Sequence, residues 1–551
     1  LASAGIVVLA THAFAQSNIP GSLLPGQVER QFQQFPAIRP APGGGVPVIP
    51  TQAVPTGAQA VRFTLDRILL DGNTRLPPPE VDAEAAAYVG REITLADLYG
   101  LANALTAKYR NGGYLLSQVI VPAQSVEAGT ARLLAVEGFV AEVRIVGEAG
   151  ADSALIARYA EKIRDTRPLT SAALERYMLL INDLPGTRAS ATLAPSKTEY
   201  GAAELTIQVA QRTWNAGVNA DNRGGKALGD RRVVLDAAFA HVLGRNENTG
   251  VKIAASPGGE LAYAALQHEA QLGSEGGKFS VGLTNSRAKP KERSFIVLDL
   301  ETRATGFSAT YLHPLLRSRA ENVFVRAALT GHNGEERVFA IKDREDRIRA
   351  LRAGISYDLA DALRGTNLVD LEFSQGLNAL GASRNGDPLL TRANGKVDFR
   401  KLNLFAARVQ DFSPHWSLLA AFNGQYAFDD LLASELYGLG GDLFGRGYGP
   451  SELVGDHGAA FKLEFRRAGL TPFASLPLRL YAYYDAGTVW QRTPLNGQSR
   501  SESAASTGIG VRFDLSSLVS LSAELAKPLT RVPTGENDRS PRVFVGLSAR
   551  L

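Results

Sequence analysis

Cysteine is absent from these 551 residues, which excludes a disulfide scaffold, a thiolate metal centre and a cysteine nucleophile. Methionine occurs once, at Met178. Past the first residues, no apolar run approaches the ~20 residues that a membrane-crossing helix needs. An excess of one charge is also lacking: Lys and Arg total 59 against 55 Asp and Glu, a formal net charge of +4. No basic cluster with interleaved aromatics occurs, so nucleic acid is not an expected partner. A phosphate-cradling glycine loop is missing, so neither is a nucleotide. His268, His313, His332, His415 and His457 stand in no Ser/His/Asp or metal-ligand spacing, and His457 in "GDHG" reads as a loop-packing residue. No catalytic residue, metal site or cofactor is expected, and the chain is read as not an enzyme.

What is present is organised in blocks. "LASAGIVVLATHAFAQ" reads as the tail of a secretory signal peptide (1–15), with Ala13-Phe14-Ala15 as an A-x-A cleavage site. In residues 16–35, Leu24, Val28, Phe32 and Phe35 fall on one helical face. Residues 36–60, rich in Pro and Gly, read as an extended linker. A lone amphipathic helix on such a tether has no core of its own and must dock elsewhere.

Residues 61–139 and 140–211 repeat one order of elements, strand, two helices, two strands. "VRFTLDRILLDGN" opens the first copy and "VAEVRIVGE" the second. Helical stripes follow in each, over Leu95–Tyr109 in the first and over Leu174–Leu184 in the second. From residue 212 to the last residue the pattern changes to alternation. In "LRLYAYYDAG", Leu478, Leu480, Ala482 and Tyr484 oppose Arg479, Tyr481, Tyr483 and Asp485. In "AFKLEFR", Phe461, Leu463 and Phe465 oppose Lys462, Glu464 and Arg466, and "LVDLEFS" and "RVFVGLSARL" repeat the scheme. An exported chain without a spanning helix, alternating in this way, reads as a transmembrane antiparallel β-barrel. At about 20 residues per strand and turn it holds about 16 strands. Leu478, Leu480, Phe461, Leu463, Val543 and Val545 are expected to face lipid, and Glu464 to tolerate change.

Four motifs carry a resemblance. "HPLLRSRAENVFV" (313–325) is similar to a Y-P-L-x-R-S-R-x-x-N segment, with His313 where tyrosine is usual. "SQGLNALGAS…DPLLTRANGKVDFRK" resembles the strand-and-loop signature that follows it. "FGRGYGPSELVGDHG" resembles a V-R-G-[FY] loop, with Gly445 in place of valine, and "LYAYYDAGTVW" an F-x-D-x-G strand. In this order, behind two β-α-α-β-β units, they resemble the two-partner secretion transporters (TpsB type) of the haemolysin and filamentous-haemagglutinin secretion family, in the superfamily that joins POTRA domains to an outer-membrane barrel.

The resemblance implies α+β POTRA repeats in the periplasm of a Gram-negative bacterium and a monomeric barrel in outer-membrane lipid that exports a large partner exoprotein. Residues 429–458 would fold back into the barrel as a pore loop. Arg446, Gly447 and Tyr448 of that loop would meet Asp485 and Gly487 of the strand, with Arg446 paired to Asp485. Val28, Phe32 and Phe35 would belong to a helix plugging the pore. Ser190 and Thr192, on the small-residue strand "RASATLAP" of the second unit, are candidates for pairing with the client. The alternative within the superfamily is a factor that assembles other outer-membrane proteins.

Overall fold

A computed structural model describes residues 20–32, 52–471, 476–494 and 497–551. The signal-peptide remnant, Phe35 and most of the linker lie outside them. The first α+β unit shows how local chemistry divides the chain. "VRFTLDRILLD" breaks at Asp66 into the strands Arg62–Leu65 and Arg67–Asp71. The first pairs with Arg91–Thr94, a strand too short to show alternation, and the second lies parallel to Thr130–Val136. Thr94 then starts the helix Leu95–Asn111 with a capping box: its side chain accepts from the Asp97 N–H, and the Asp97 carboxylate accepts from the Thr94 N–H. Leu98, Leu101, Leu105 and Tyr109 are buried against Leu65, Val119 and Leu133.

In the second unit the helices Ser153–Asp165 and Ser171–Asn182 cover a three-stranded sheet. Its order is Phe139–Gly147, Ala202–Gln211, Thr187–Pro195, so the last of these strands is an edge.

From Trp214 sixteen strands close into a barrel, all neighbours antiparallel, sealed where Arg542–Arg550 meets Trp214–Asp221. The alternation becomes two faces. Val369, Leu371 and Phe373 are exposed on the outside, and Asp370 and Ser374 are buried on the inside. Phe461, Leu480, Val543 and Val545 are likewise exposed on the outer face. Leu478 departs from the expectation: at the first position of its strand it is only 8 % exposed, because period-2 alternation fixes a face only within the wall, not at its rim. Three strands, Glu301–Arg317, Glu321–Val338 and Ile341–Ala360, have 17, 18 and 20 residues. About 9–11 suffice to cross a bilayer, so these extend beyond it.

One pair of neighbours tests the two faces. Ala327 is exposed on the outside, while Ala328 lies between Thr310 and the inward-pointing Arg352. Ala327→Arg should cost about 2–4 kcal/mol, and Ala328→Glu should leave the unfolding midpoint near that of the parent. Equal losses in a refolding titration would contradict the assignment of faces.

Candidate functional site

Residues 428–456, between Trp416–Ala427 and His457–Leu470, turn back into the barrel. They form a small hairpin, Tyr437–Leu439 with Leu453–Gly455, whose tip carries Arg446. Gly445 has φ +84°, a conformation closed to valine. The departure from the motif is therefore the residue that this turn requires. Gly447 is needed for close approach, since a Cβ there would lie 2.8 Å from the Ser506 Cβ and 3.1 Å from the Pro528 N.

Arg446 is 3 % exposed and sits among the carboxylates of the wall. Its Nε and Nη2 donate to Asp485 Oδ2 and Oδ1, both at 3.0 Å, and its main-chain N–H reaches Oδ2 at 3.1 Å. Nη1 donates to Glu464 Oε2 at 2.5 Å. The guanidinium carbon stands 3.3 Å over the Tyr483 ring. Glu524 completes the cluster, accepting from Tyr481 and Tyr483 at 2.8 and 3.0 Å and pairing with Arg223 at 2.8 Å. Asp485 and Glu464 are 0 % and 1 % exposed. A planar fork is the side chain that can satisfy two carboxylates at once.

Around this anchor, the Gly447 N–H donates to Ser506 Oγ at 3.2 Å and Tyr448 Oη to the Ala505 carbonyl at 3.0 Å. Gly487 leaves room for Leu439 of the hairpin, whose Cδ1 would lie 2.7 Å from a Cβ there. The structure thus brings Arg446, Gly447, Tyr448, Asp485 and Gly487 into one site. It corrects the view of Glu464 as tolerant, for Glu464 is buried and shared by Arg446 and Arg466. Its place on the polar face of "AFKLEFR" was a usable signal, as were Tyr481 and Tyr483 beside Asp485.

The N-terminal segment lies in the same lumen. The expected continuous helix is reduced, in the described residues, to a 3-10 turn Gly21–Leu23 and a four-residue helix Gln27–Arg30. The cause is local: Leu24 precedes a proline and is extended, and Gly26 is left-handed at φ +85°. Val28 and Phe32 are buried with Leu261 and Ala288 of the wall and Leu300 of an adjoining connection, and Phe32 stacks on Tyr263 at 4.6 Å. Leu24 faces a different cluster. Gln27, which no local pattern singles out, ties the segment to the inward loop. It donates to the Ala433 and Leu436 carbonyls at 3.0 and 3.1 Å and accepts from Ser451 at 3.0 Å.

The sequence profile described as "Haemolysin secretion/activation protein ShlB/FhaC/HecB" matches residues 201–513, and "POTRA domain, ShlB-type" matches residues 63–138. The chain belongs to this family. It is similar to the heme/hemopexin transporter protein HuxB of Haemophilus influenzae (strain 86-028NP), with 26% identity covering 86% of this chain and 84% of that protein. It is also similar to the outer membrane transporter CdiB of Dickeya dadantii (strain 3937), with 22% identity covering 73% and 72%. Among solved structures, CdiB from Escherichia coli has the same fold, with a TM-score of 0.72 at 20% identity over 92% of this chain and 94% of that one. BamA from Haemophilus ducreyi lacking POTRA domains 1–3 shares it at 0.50 and 13% identity, over 89% and 100%. The protein is an outer-membrane transporter of the two-partner secretion type, with its POTRA units in the periplasm.

In this transporter the "HPLLRSRAEN" motif is a periplasmic joint. Arg317 forks onto Asp183 of the second α+β unit at 2.8 and 2.9 Å. The Arg319 N–H donates to Glu175 at 2.6 Å, and Asn322, bonded to Arg317, donates to Asp358. Glu275 of a neighbouring turn meets Lys162 and Arg176. The motif was legible as a family mark, but its partner Asp183 was not.

Removing one member of a buried ion pair costs about 3–5 kcal/mol. Glu464→Ala should therefore expose residues 440–450 to limited proteolysis about as much as Asp485→Ala does. Arg446→Lys, which can reach only one carboxylate, should fall between these variants and the parent. Parent-like resistance of Glu464→Ala would mean that the arginine is held without Glu464.

Proposed function

We propose that this transporter exports a large, unfolded partner exoprotein of the adhesin, haemolysin or contact-dependent toxin class through its own lumen, acting as a monomer. The observation that carries the reading is that two segments of the chain itself occupy the lumen, each held by side-chain contacts to the wall and to one another. A path closed in this way opens when those contacts are exchanged. The N-terminal segment acts as the plug and Arg446 with Asp485 and Glu464 as the latch of the pore loop. Energy comes from client binding and from its folding outside.

The capture surface is the edge strand Thr187–Pro195. Ser190 and Thr192 have exposed side chains, but their main-chain groups face the sheet. The Ala189 N–H and carbonyl instead point outward and are capped by Asn182 at 2.9 and 3.0 Å, so by alternation Ala191 and Leu193 offer the open edge. Ala191→Pro should lower export of the client while barrel insertion stays normal. Normal export, with no client crosslink from this strand, would place capture elsewhere.

A second reading is assembly of other outer-membrane proteins. It is favoured by the short seam of the barrel, which runs only from Gly546 opposite Asp221 to Arg550 opposite Gly217. The two readings separate in cells depleted of their own assembly factor: rescue of barrel proteins supports the second. Deleting residues 16–57 tests the plug. Planar-bilayer conductance should rise with the barrel still inserted; unchanged conductance would remove the segment from that role.

A further inference from the structure

Residues 377–399, between the strands Gly365–Gly376 and Arg400–Asp411, form a 23-residue connection without helix or strand. Loops of that length in a compact domain are uncommon and usually functional. This one lies at the end of the barrel away from the second α+β unit, the end from which the inward loop also enters. Its main chain bonds along the protruding edge of Ile341–Ala360: Leu377 N–H to the Arg349 carbonyl at 2.8 Å, Ser383 N–H to Arg347 at 2.9 Å, and Glu345 N–H to Leu389 at 2.7 Å.

From that edge it reaches the root of the inward loop. Thr391 donates its N–H and hydroxyl to the buried Asp346 at 3.0 and 2.5 Å, and its oxygen accepts from the Ala433 N–H at 3.1 Å. Arg392 forks onto Asp456 at 2.5 and 3.0 Å and donates to the Leu431 carbonyl at 2.6 Å. Asp456 is fully buried and also accepts from the N–H groups of Leu431 and Arg492 at 2.8 and 3.0 Å. Beneath these contacts Leu390, Val397 and Phe399 are buried against Leu431, Leu432 and Leu436, with Leu24 of the N-terminal segment packed on the same cluster.

We infer that this connection is a strap latching the pore from outside, with Thr391 and Arg392 as positioning residues. The inward loop is then gripped twice, at its tip by Asp485 and Glu464 and at its root by the strap. The root grip also closes over the N-terminal segment. The inference rests on the proposed export, in which loop and segment must move, and it assigns the outer control of that movement to the Arg392–Asp456 fork.

The test is single-channel recording of the full chain in planar bilayers. Arg392→Ala should raise the frequency of channel openings by on the order of tenfold, and Arg392→Lys, lacking the fork, should lie between it and the parent. Parent-like openings in correctly inserted Arg392→Ala overturn the strap. If that variant does not insert, the pair Thr391→Cys with Ala433→Cys decides, since the chain contains no other cysteine. Oxidation should suppress openings and reduction restore them; openings indifferent to redox state overturn the inference. Because conductance needs no client, raised openings in a protein that exports nothing would count against the proposed export and leave the strap standing.

Discussion

One guanidinium shared by two carboxylates fixes the interior of this barrel. Arg446 arrives on a glycine-rich hairpin that has little core of its own, and Asp485 and Glu464 wait on adjacent strands. Buried carboxylates are costly unless each finds a donor. The wall is thus built to require the loop, and the loop has no other place to lodge its charge. Gly445 and Gly447 let the chain turn and approach; Gly487 clears the space that Leu439 fills. Beside them Tyr481, Tyr483 and Arg223 hold a third carboxylate, Glu524, near the same guanidinium. Such an anchor is strong at rest, and ionic contacts of this type can be exchanged when water or a charged chain enters.

The anchor organises what lies on either side of it. Toward the outer surface, the inward loop offers the carbonyls that Gln27 reads, so the N-terminal segment is positioned through the loop as well as by the wall. Toward the periplasm, the "RSR" turn fixes the second α+β unit through Asp183. Its open edge strand is thereby held in a set orientation to the barrel. On the proposed function, capture, passage and closure become parts of one connected set of contacts, polar and apolar, each separable from the covalent frame of the strands.

Much of this was legible in the sequence. Period-2 alternation separated the outer and inner faces at Val369–Ser374 and along Phe461–Arg466, because a barrel wall has lipid on one side and charge on the other. The motif order identified the family, and the arginine's partner followed from it. The rest was hidden for definite reasons. Glu464 looked like any lumen charge because sequence does not show which lumen charges a loop will bury. The apolar stripe from Leu24 suggests a continuous helix, which Pro25 and Gly26 break. Gln27 and Asp183 act through their side chains on partners more than 100 residues away, and Asp456 on partners 25 to 64 residues away, where no local pattern can point. The edge groups of Ala191 and Leu193 depended on which way the strand pairs, a matter of register rather than composition.

On the proposed function, the inward loop and the N-terminal segment are held together in the lumen at rest and part when a client engages. Spin labels at Gln31→Cys and Leu443→Cys in the otherwise cysteine-free chain measure this directly. A narrow distance distribution is expected in the resting transporter, shifting to longer and broader distances once client is added. A distribution that client leaves unchanged, in a preparation shown to export it, would contradict the account.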